Sequence, residues 1–476
     1  MYDTKGLIHS RILRIIPSFC KASQRYSAPI LGQAVGSGGL KMYFQESRRM
    51  KKTLIAITGL TMMIPSFTFA TGFALREASV EGLGKAYGGA AAGLNDNSAA
   101  WYNPAALQYA PGGGSIGLHL IDVSADFKNT GSANALTGAP ISGGNGGGGG
   151  DTAVVPNAYY VHAINDQATF GFALTAPFGL GSEWDKDWVG RYHAIKSELL
   201  TLNLNPSIGY KVNDQLSLGF GFSAMYAEAE ISNAINLGVV TGGPAPDGFG
   251  SLEGDDWGYG YNLGAVYALS EDSRVGLAYR SEIETTIEGD AKFQIAPPIA
   301  AAFAPRNVFV NTGGSADLDL PANVALGYTS SVTDDISVGL TVDWTGWSSF
   351  QELRVDFDSL QPDSVTEENW DDTWSVGVGL DYAQSDKVTL RGGFLWDESP
   401  ISNPSFRTPR IPDSDRYWVT AGFSYDLSDT SRIDAGFAHI FADDETAKHA
   451  NSTGDVIVGS FEADVNIISL QFSRLY

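Results

Sequence analysis

The sequence predicts an all-β fold: a transmembrane antiparallel β-barrel of about fourteen strands, with an N-terminal plug of short helices in its lumen. Three observations predict it. An export signal precedes a chain with no apolar run long enough for a spanning helix. Long stretches alternate apolar and small polar residues with a period of two. Six short turns stand opposite long polar loops.

The export signal begins at Met50-Lys51-Lys52, runs through the apolar stretch from Leu54 to Phe69, and ends in Thr68-Phe69-Ala70. A basic head, a short apolar middle and small residues before the cut make residues 50–70 a signal peptide, so that the exported chain begins at Thr71. Residues 1–49 are basic and carry no periodic pattern. They read as a mis-called upstream start or, alternatively, as an extended leader. Cys20 is the only cysteine, so the exported chain is expected to carry neither thiol chemistry nor disulfides.

The whole chain has a formal net charge of −24. Ten Lys/Arg and two Asp/Glu lie in the first 70 residues, which leaves about 20 basic against 52 acidic residues after cleavage. A balance near −32 disfavours nucleic acid and anionic membrane surfaces as partners. Charged residues are only 18% of the chain, while glycine and aromatics are plentiful. Export without helices leaves two classes, a soluble β-protein or a barrel.

The strands decide between them. Asn165-Asp166, Asn213-Asp214, Glu271-Asp272, Asp334-Asp335, Ser385-Asp386 and Ser428-Asp429 mark six tight turns. After Asn213-Asp214, Leu216, Leu218, Phe220 and Phe222 alternate with Ser217, Gly219, Gly221 and Ser223. The same pattern runs from Ile336 to Thr345 and from Tyr417 to Tyr425. A soluble sandwich also alternates, but here the second face is Gly, Ser, Thr and Asn, which suits lipid outside and a polar lumen inside. Residues 129–151, 236–256, 296–315 and 399–414 are the long external loops, so residues 115–476 form seven hairpin pairs with both chain ends in the periplasm. In the last strand Phe461, Ala463, Val465 and Ile467 lie out of phase with Ile468, Leu470 and Phe472, which predicts a bulge between Ile467 and Ile468. The terminal Tyr476 fits recognition by the barrel-assembly machinery. Residues 71–114, rich in Ala and Gly, remain as the plug.

Catalytic constellations are absent. Gly113-Gly114-Ser115-Ile116-Gly117 has the nucleophile-elbow spacing but lacks the strand-to-helix turn that the chemistry needs. No histidine pair has metal-ligand spacing, and no cofactor or metal is expected. The acidic clusters Asp443-Asp444-Glu445 and Glu367-Glu368 with Asp371-Asp372 read as solvated loops bridged by cations to lipopolysaccharide, the alternative being dedicated cation sites. By alternation Arg280, Arg391 and Arg416 face the lumen. Each is a candidate contact for a ligand carboxylate, because guanidinium binds carboxylate bidentately. The competing reading pairs them with lumenal acids such as Asp343.

Several segments carry a family likeness. Gly72-Phe73-Ala74-Leu75-Arg76-Glu77, Gly82-Leu83-Gly84-Lys85-Ala86-Tyr87-Gly88-Gly89 and Ala100-Trp101-Tyr102-Asn103-Pro104-Ala105-Ala106-Leu107 resemble the N-terminal plug of the FadL family of outer-membrane transporters of hydrophobic compounds. Asn103-Pro104-Ala105 is the most specific part. Pro177-Phe178-Gly179-Leu180, Gly190-Arg191-Tyr192, Asn205-Pro206-Ser207 and the run from Arg410 to Trp418 extend the likeness along nearly the whole exported chain.

The resemblance implies a hatch-plugged, fourteen-stranded barrel in the outer membrane. It implies passive carriage of long-chain fatty acids or, in relatives, aromatic hydrocarbons. It further implies a ligand pocket beside the hatch N-terminus at Thr71, Gly72 and Phe73, and a kink in the third strand at Pro177, Phe178 and Gly179 that opens the wall sideways. Proline lacks a ladder donor and glycine permits the bend, so those residues suit a break. Trp184, Trp188, Leu237, Val239 and Phe249 are candidates for an apolar outer groove, or else interfacial girdle residues. A monomer is expected. The rivals from other classes are a surface adhesin with a shut lumen and a barrel-embedded hydrolase, neither of which has much use for the plug.

Overall fold

The computed structural model describes residues 72–476. The expected signal segment, the stretch before it and Thr71 lie outside the described residues. Fourteen antiparallel strands close into a barrel, with β1 (Gly113–Asn129) paired to β14 (Asp455–Arg474). Between them run β2 (Thr152–Ala163), β3 (Ala168–Thr175, resuming over Gly179–Glu183), β4 (Lys196–Lys211), β5 (Leu216–Ile235), β6 (Gly248–Ala268) and β7 (Ser273–Arg280, then Ile283–Gln294). They are followed by β8 (Thr312–Leu320, then Asn323–Ser331), β9 (Ile336–Thr345, then Glu352–Phe357), β10 (Ser364–Glu367, then Thr373–Ser385), β11 (Val388–Asp397), β12 (Arg416–Ser428) and β13 (Ser431–Ala442, then Glu445–Ala450).

All six short turns fall between strands where the sequence placed them, on the side where both ends of the barrel lie. Asn side chains set the first two. Asn165 Oδ1 accepts from the Gln167 and Ala168 amides at 2.9 Å, and Asn213 Oδ1 accepts from Gln215 and Leu216 at 2.9 and 2.8 Å.

The strands are longer than a bilayer requires. β6 has 21 residues, whereas a tilted strand crosses with about 9–11. The two faces exchange chemistry along that length. On β1, Ile116, Leu118 and Leu120 are exposed while Ser115 and His119 are buried; beyond them Ile121, Val123 and Phe127 are buried and Asp122, Asp126 and Lys128 exposed. The exchange on β14 occurs between Ile468 and Ile467, which pair with Leu120 and Ile121. The wall therefore leaves the hydrocarbon at this level, and above it stands in water around an apolar interior.

This corrects the expected bulge between Ile467 and Ile468. The β1–β14 register runs unbroken from Gly459 to Arg474, and the change of phase in the apolar residues marks the membrane boundary. For the same reason two expected loops are shorter than read. Residues 248–256 already belong to β6, and β8 begins at Thr312. What remains of those loops holds the short helices Leu237–Thr241 and Pro297–Phe303.

Candidate functional site: a hatch and a gap in the wall

Residues 72–112 precede β1. They form α1 (Val80–Gly84), α2 (Ala99–Tyr102) and 3-10 turns at Ala90–Ala92 and Pro104–Tyr109. Four devices fasten the body of this hatch to the inner wall. The first is ionic. Lys85 and Arg391 bind the two oxygens of Asp381 at 2.5 and 2.8 Å, and Arg391 also reaches Glu81 at 3.4 Å. Arg76 binds Asp343 at 2.9 Å and Asp397 at 3.2 Å. The second is a hydroxyl, Thr341 Oγ1, which accepts from the Gly89 and Ala90 amides at 3.0 and 3.1 Å and donates to the Tyr87 carbonyl at 3.0 Å.

The third device is close backbone approach. A Cβ on Gly339 would come within 2.2 Å of the Gly88 carbonyl oxygen, and one on Gly379 within 2.2 Å of that of Lys85. Inward glycines are thus a seat shaped to the hatch, not only small lumenal filler. The fourth explains the Asn103-Pro104-Ala105 motif. Asn103, fully buried, accepts from the Ala105 amide at 2.9 Å to start the 3-10 turn. Its Nδ2 donates to the carbonyl of hatch residue Ala91 at 2.6 Å and lies 3.3–3.4 Å from the wall carbonyls of Leu277 and Ala265. Pro104 supplies the fixed φ that opens the turn without needing a donor.

The first residues of the hatch are held differently. The β2–β3 ladder stops at Ala158 opposite Leu174, so residues 152–157 have no partner on β3. Above it β3 breaks at residues 176–178, and its upper segment pairs with β4 alone. Thr201 on β4 bridges the break, accepting from the Phe178 amide at 3.0 Å and donating to the Phe178 carbonyl at 2.5 Å. The hatch lays a short strand against this break. Ala74 forms an antiparallel bridge with Phe178, Leu75 N donates to the Pro177 carbonyl at 2.8 Å, and Gly179 N donates to that of Phe73 at 2.9 Å. Gly72 N donates to Asp413 Oδ2 at 3.2 Å, and burial pushes the Asp413 carboxyl up to about 6. The Phe73 ring lies 4.7, 5.4, 5.7 and 6.1 Å from those of Trp347, Phe350, Trp370 and Phe178. Gly72, Phe73, Pro177, Phe178 and Gly179 are therefore brought together in one place.

Beside this junction lies a cavity of about 1020 Å³ including the solvent at its open side. Its walls include Leu75 and Trp101 of the hatch, Pro177 and Phe178 of the break, and Arg280, Asn262 and Pro321 of the opposite strands. A smaller recess with Asn203, Met225, Ile283 and Leu320 adjoins it.

The three lumenal arginines separate. Arg391 is held by Asp381 and Glu81, and Arg416 lies 3.1 Å from Asp413 and 3.5 Å from Asp397. Both stand against buried acids, which favours the competing reading, pairing with the protein's own carboxylates, over contact with a ligand. Asp343 pairs with Arg76 of the hatch rather than with a wall arginine. Only Arg280 opens on the cavity.

The outer-groove residues do not form one exposed patch. Trp184 and Trp188 are buried and stack at 4.6 Å, and Leu237 is buried as well. Phe249 packs against Tyr192, Ile195 and Ala234, and Val239 is half-buried. The reason is the glycine-rich loop. Gly146 and Gly149 pass so close over Trp184 that a Cβ on either would meet its ring at 2.4–2.5 Å. That tract works as a lid over the tryptophans, and its glycines were the only signal in the sequence. Trp347, Phe350 and Trp370, the aromatic cage around Phe73, carry no such signal. They sit where β9 and β10 leave their ladders, which alternation does not mark.

Residues 61–476 match the family described as outer membrane protein transport protein (OMPP1/FadL/TodX). The chain is 33% identical over 427 residues to a long-chain fatty acid transport protein of Escherichia coli O6:H1, covering 82% of this chain and 92% of that one. A Pseudomonas aeruginosa FadL homologue of known crystal structure superposes with a TM-score of 0.80 at 26% identity, over 85% of this chain and 99% of that chain. The toluene transporter TbuX of Ralstonia pickettii shares the fold, with a TM-score of 0.60 at 20% identity and the same coverage.

Proposed function

The chain belongs to the OMPP1/FadL/TodX family of outer membrane transport proteins, and on that premise we propose that it takes up long-chain fatty acids passively, releasing them sideways through the gap between β2 and β3. The reading rests on one feature above all: a gap in the barrel wall next to the cavity, with the hatch N-terminus seated on the broken strand. A ligand that displaces Phe73 from its cage loosens the short strand on Pro177–Gly179 and reaches the gap. An acyl chain leaving there enters lipid without crossing water, which saves about 0.8 kcal/mol per methylene. No energy source is involved, since membrane lipid is a sink for the apolar chain. Aromatic hydrocarbons are the second class of cargo that this route admits.

The test is growth and radiolabelled uptake on oleate in a strain deleted for this gene, with and without its return. Restored uptake is expected; uptake unchanged for oleate and for toluene alike overturns the transport reading. Gly179→Val probes the route, since a Cβ there meets Leu75 at 2.9 Å and its branches crowd the seat of the short strand. Folded barrel with reduced uptake is the expected result, and unchanged uptake refutes exit at this gap.

A further inference from the structure

We infer that the buried imidazoles of His193 and His449 form an acid-sensitive latch, which ties the external loops together at neutral pH and releases them as the medium outside the cell acidifies. The inference goes beyond the uptake reading, since it concerns the outer cap of the barrel and does not depend on which cargo passes beneath it.

Four loops on the side away from the short turns meet in one knot. Asp455, at the start of β14, is fully buried, and its Oδ1 accepts from Asn134 Nδ2 of the β1–β2 loop and from Asn236 Nδ2 of the β5–β6 loop, each at 2.9 Å. Thr453 Oγ1 donates to its other oxygen at 2.9 Å. Asn451 Nδ2 donates to the Tyr192 carbonyl of the β3–β4 loop at 3.2 Å. Beside it Arg191 binds Asp247 at 2.8 Å and donates to the Ser142 carbonyl at 2.6 Å. Trp188 Nε1 donates to the Ala194 carbonyl at 2.9 Å, which ties the covered tryptophan to the same turn.

His193 of the β3–β4 loop and His449 of the upper segment of β13 face each other in this knot, with ring centres 5.2 Å apart and planes at 81°. They are 8% and 5% exposed. Nε2 of His193 and both ring nitrogens of His449 have no hydrogen-bond partner among the described residues, and buried polar atoms in that state are rare. The charged groups around the pair give a proton no counter-ion. Arg410 disfavours charge on His193, and only the Asp455 main chain favours it. The Asp455 carboxylate is held by two amides and a hydroxyl, Asp247 by Arg191 and Tyr192, and Glu445 by Arg407 at 3.2 Å. Lys448, next to His449, is exposed. Burial, then His449 and Arg410, therefore holds His193 well below its ordinary value, and burial takes His449 down to about 4. In released loops both rings return to 6.5, so the open cap binds more protons than the closed one. The latch is at full strength above pH 6.5 and weakens as pH falls toward about 4. A proton on either ring is an uncompensated buried charge, and release of the turn that carries His193 and holds Trp188 puts that charge in water.

The experiment is hydrogen exchange on the full chain in amphipol between about pH 7.5 and about pH 4.5, the window in which the released rings take up protons. Rates are corrected for the intrinsic pH dependence of exchange, and heat-modifiable gel mobility reports the folded barrel. Protection at residues 188–195 and 447–455 should fall by about tenfold or more, as for one or more buried neutral imidazoles set free, while residues 216–222 of β5 keep theirs. The double variant His193→Gln with His449→Gln should lose most of that dependence. Wild-type loops equally protected across the window, or a folded double variant with the same response, overturn the latch. Should the double variant fail to fold, NMR of isotope-labelled histidine in wild type decides. Rings of His193 and His449 that titrate at the ordinary value while the loops stay protected overturn the latch, and rings that stay neutral until the loops open support it.

Discussion

The body of the hatch and its first four described residues lie in the same lumen and are held by opposite means. From Arg76 to Tyr109 the attachment is ionic, hydrogen-bonded and sterically keyed, with Asp381, Thr341 and the inward glycines of the wall engaging the hatch and Asn103 of the hatch reaching wall carbonyls. From Gly72 to Leu75 it is three backbone or capping bonds and one aromatic side chain in a cage. Breaking buried ion pairs leaves uncompensated charge and is costly. An apolar ligand that enters the cage replaces apolar contacts with apolar contacts, at little net cost. On the proposed route this difference assigns the parts: the body stays and the N-terminus moves.

The largest expected effect comes from attacking the body. At Gly264 a Cβ would lie 1.9 Å from Asn103 Oδ1, so Gly264→Leu should unseat the hatch while the strands still pair. Single-channel recording in planar bilayers should then show a persistent open conductance absent from wild type. A closed channel in the folded variant would mean that the hatch is not held where these contacts put it.

A smaller and more selective effect is expected at the N-terminus. Phe73→Ala empties the cage and removes about 3–5 kcal/mol of local packing. Hydrogen exchange should speed up at residues 73–75 and stay slow from Gly82 to Gly93. Equal acceleration in both regions would erase the distinction between them.

The barrel was legible because its turns and its period of two are local properties, visible within ten residues. The Asn103 motif was legible by resemblance, and its physical role needed Ala91, Ala265 and Leu277 to be seen around it. The false bulge at Ile467 shows a limit of alternation. The period is the same inside and above the membrane, and only the identity of the wet face changes. The arginines show another. The partners of Arg76 lie 267 and 321 positions away, and no local pattern announces them. Trp184 and Trp188 read as exposed because their cover, the glycine tract, has no side chains to announce contact.

The finest test of the comparison is pH, acting on the joint between the two regions. Glu77 follows Arg76 and is buried, and burial raises its carboxyl to about 7, with Arg76 and Arg416 pulling the other way. In the undocked segment the group returns to its ordinary value of 4.5. The docked hatch therefore binds the proton more tightly. Docking is strongest below pH 4.5 and weakens as pH rises through about 7. The loss is at most a few kcal/mol, since each pH unit between the two values is worth about 1.4 kcal/mol. Glu81, also raised to about 7 chiefly by burial and against the pull of Arg391, acts in the same direction. Glu77→Gln should thus reduce, without abolishing, the pH slope of hatch protection measured by hydrogen exchange between pH 5 and 8. Protection in wild type that rises with pH over this range would show that Glu77 is charged in the docked hatch and that its burial is compensated by Arg416.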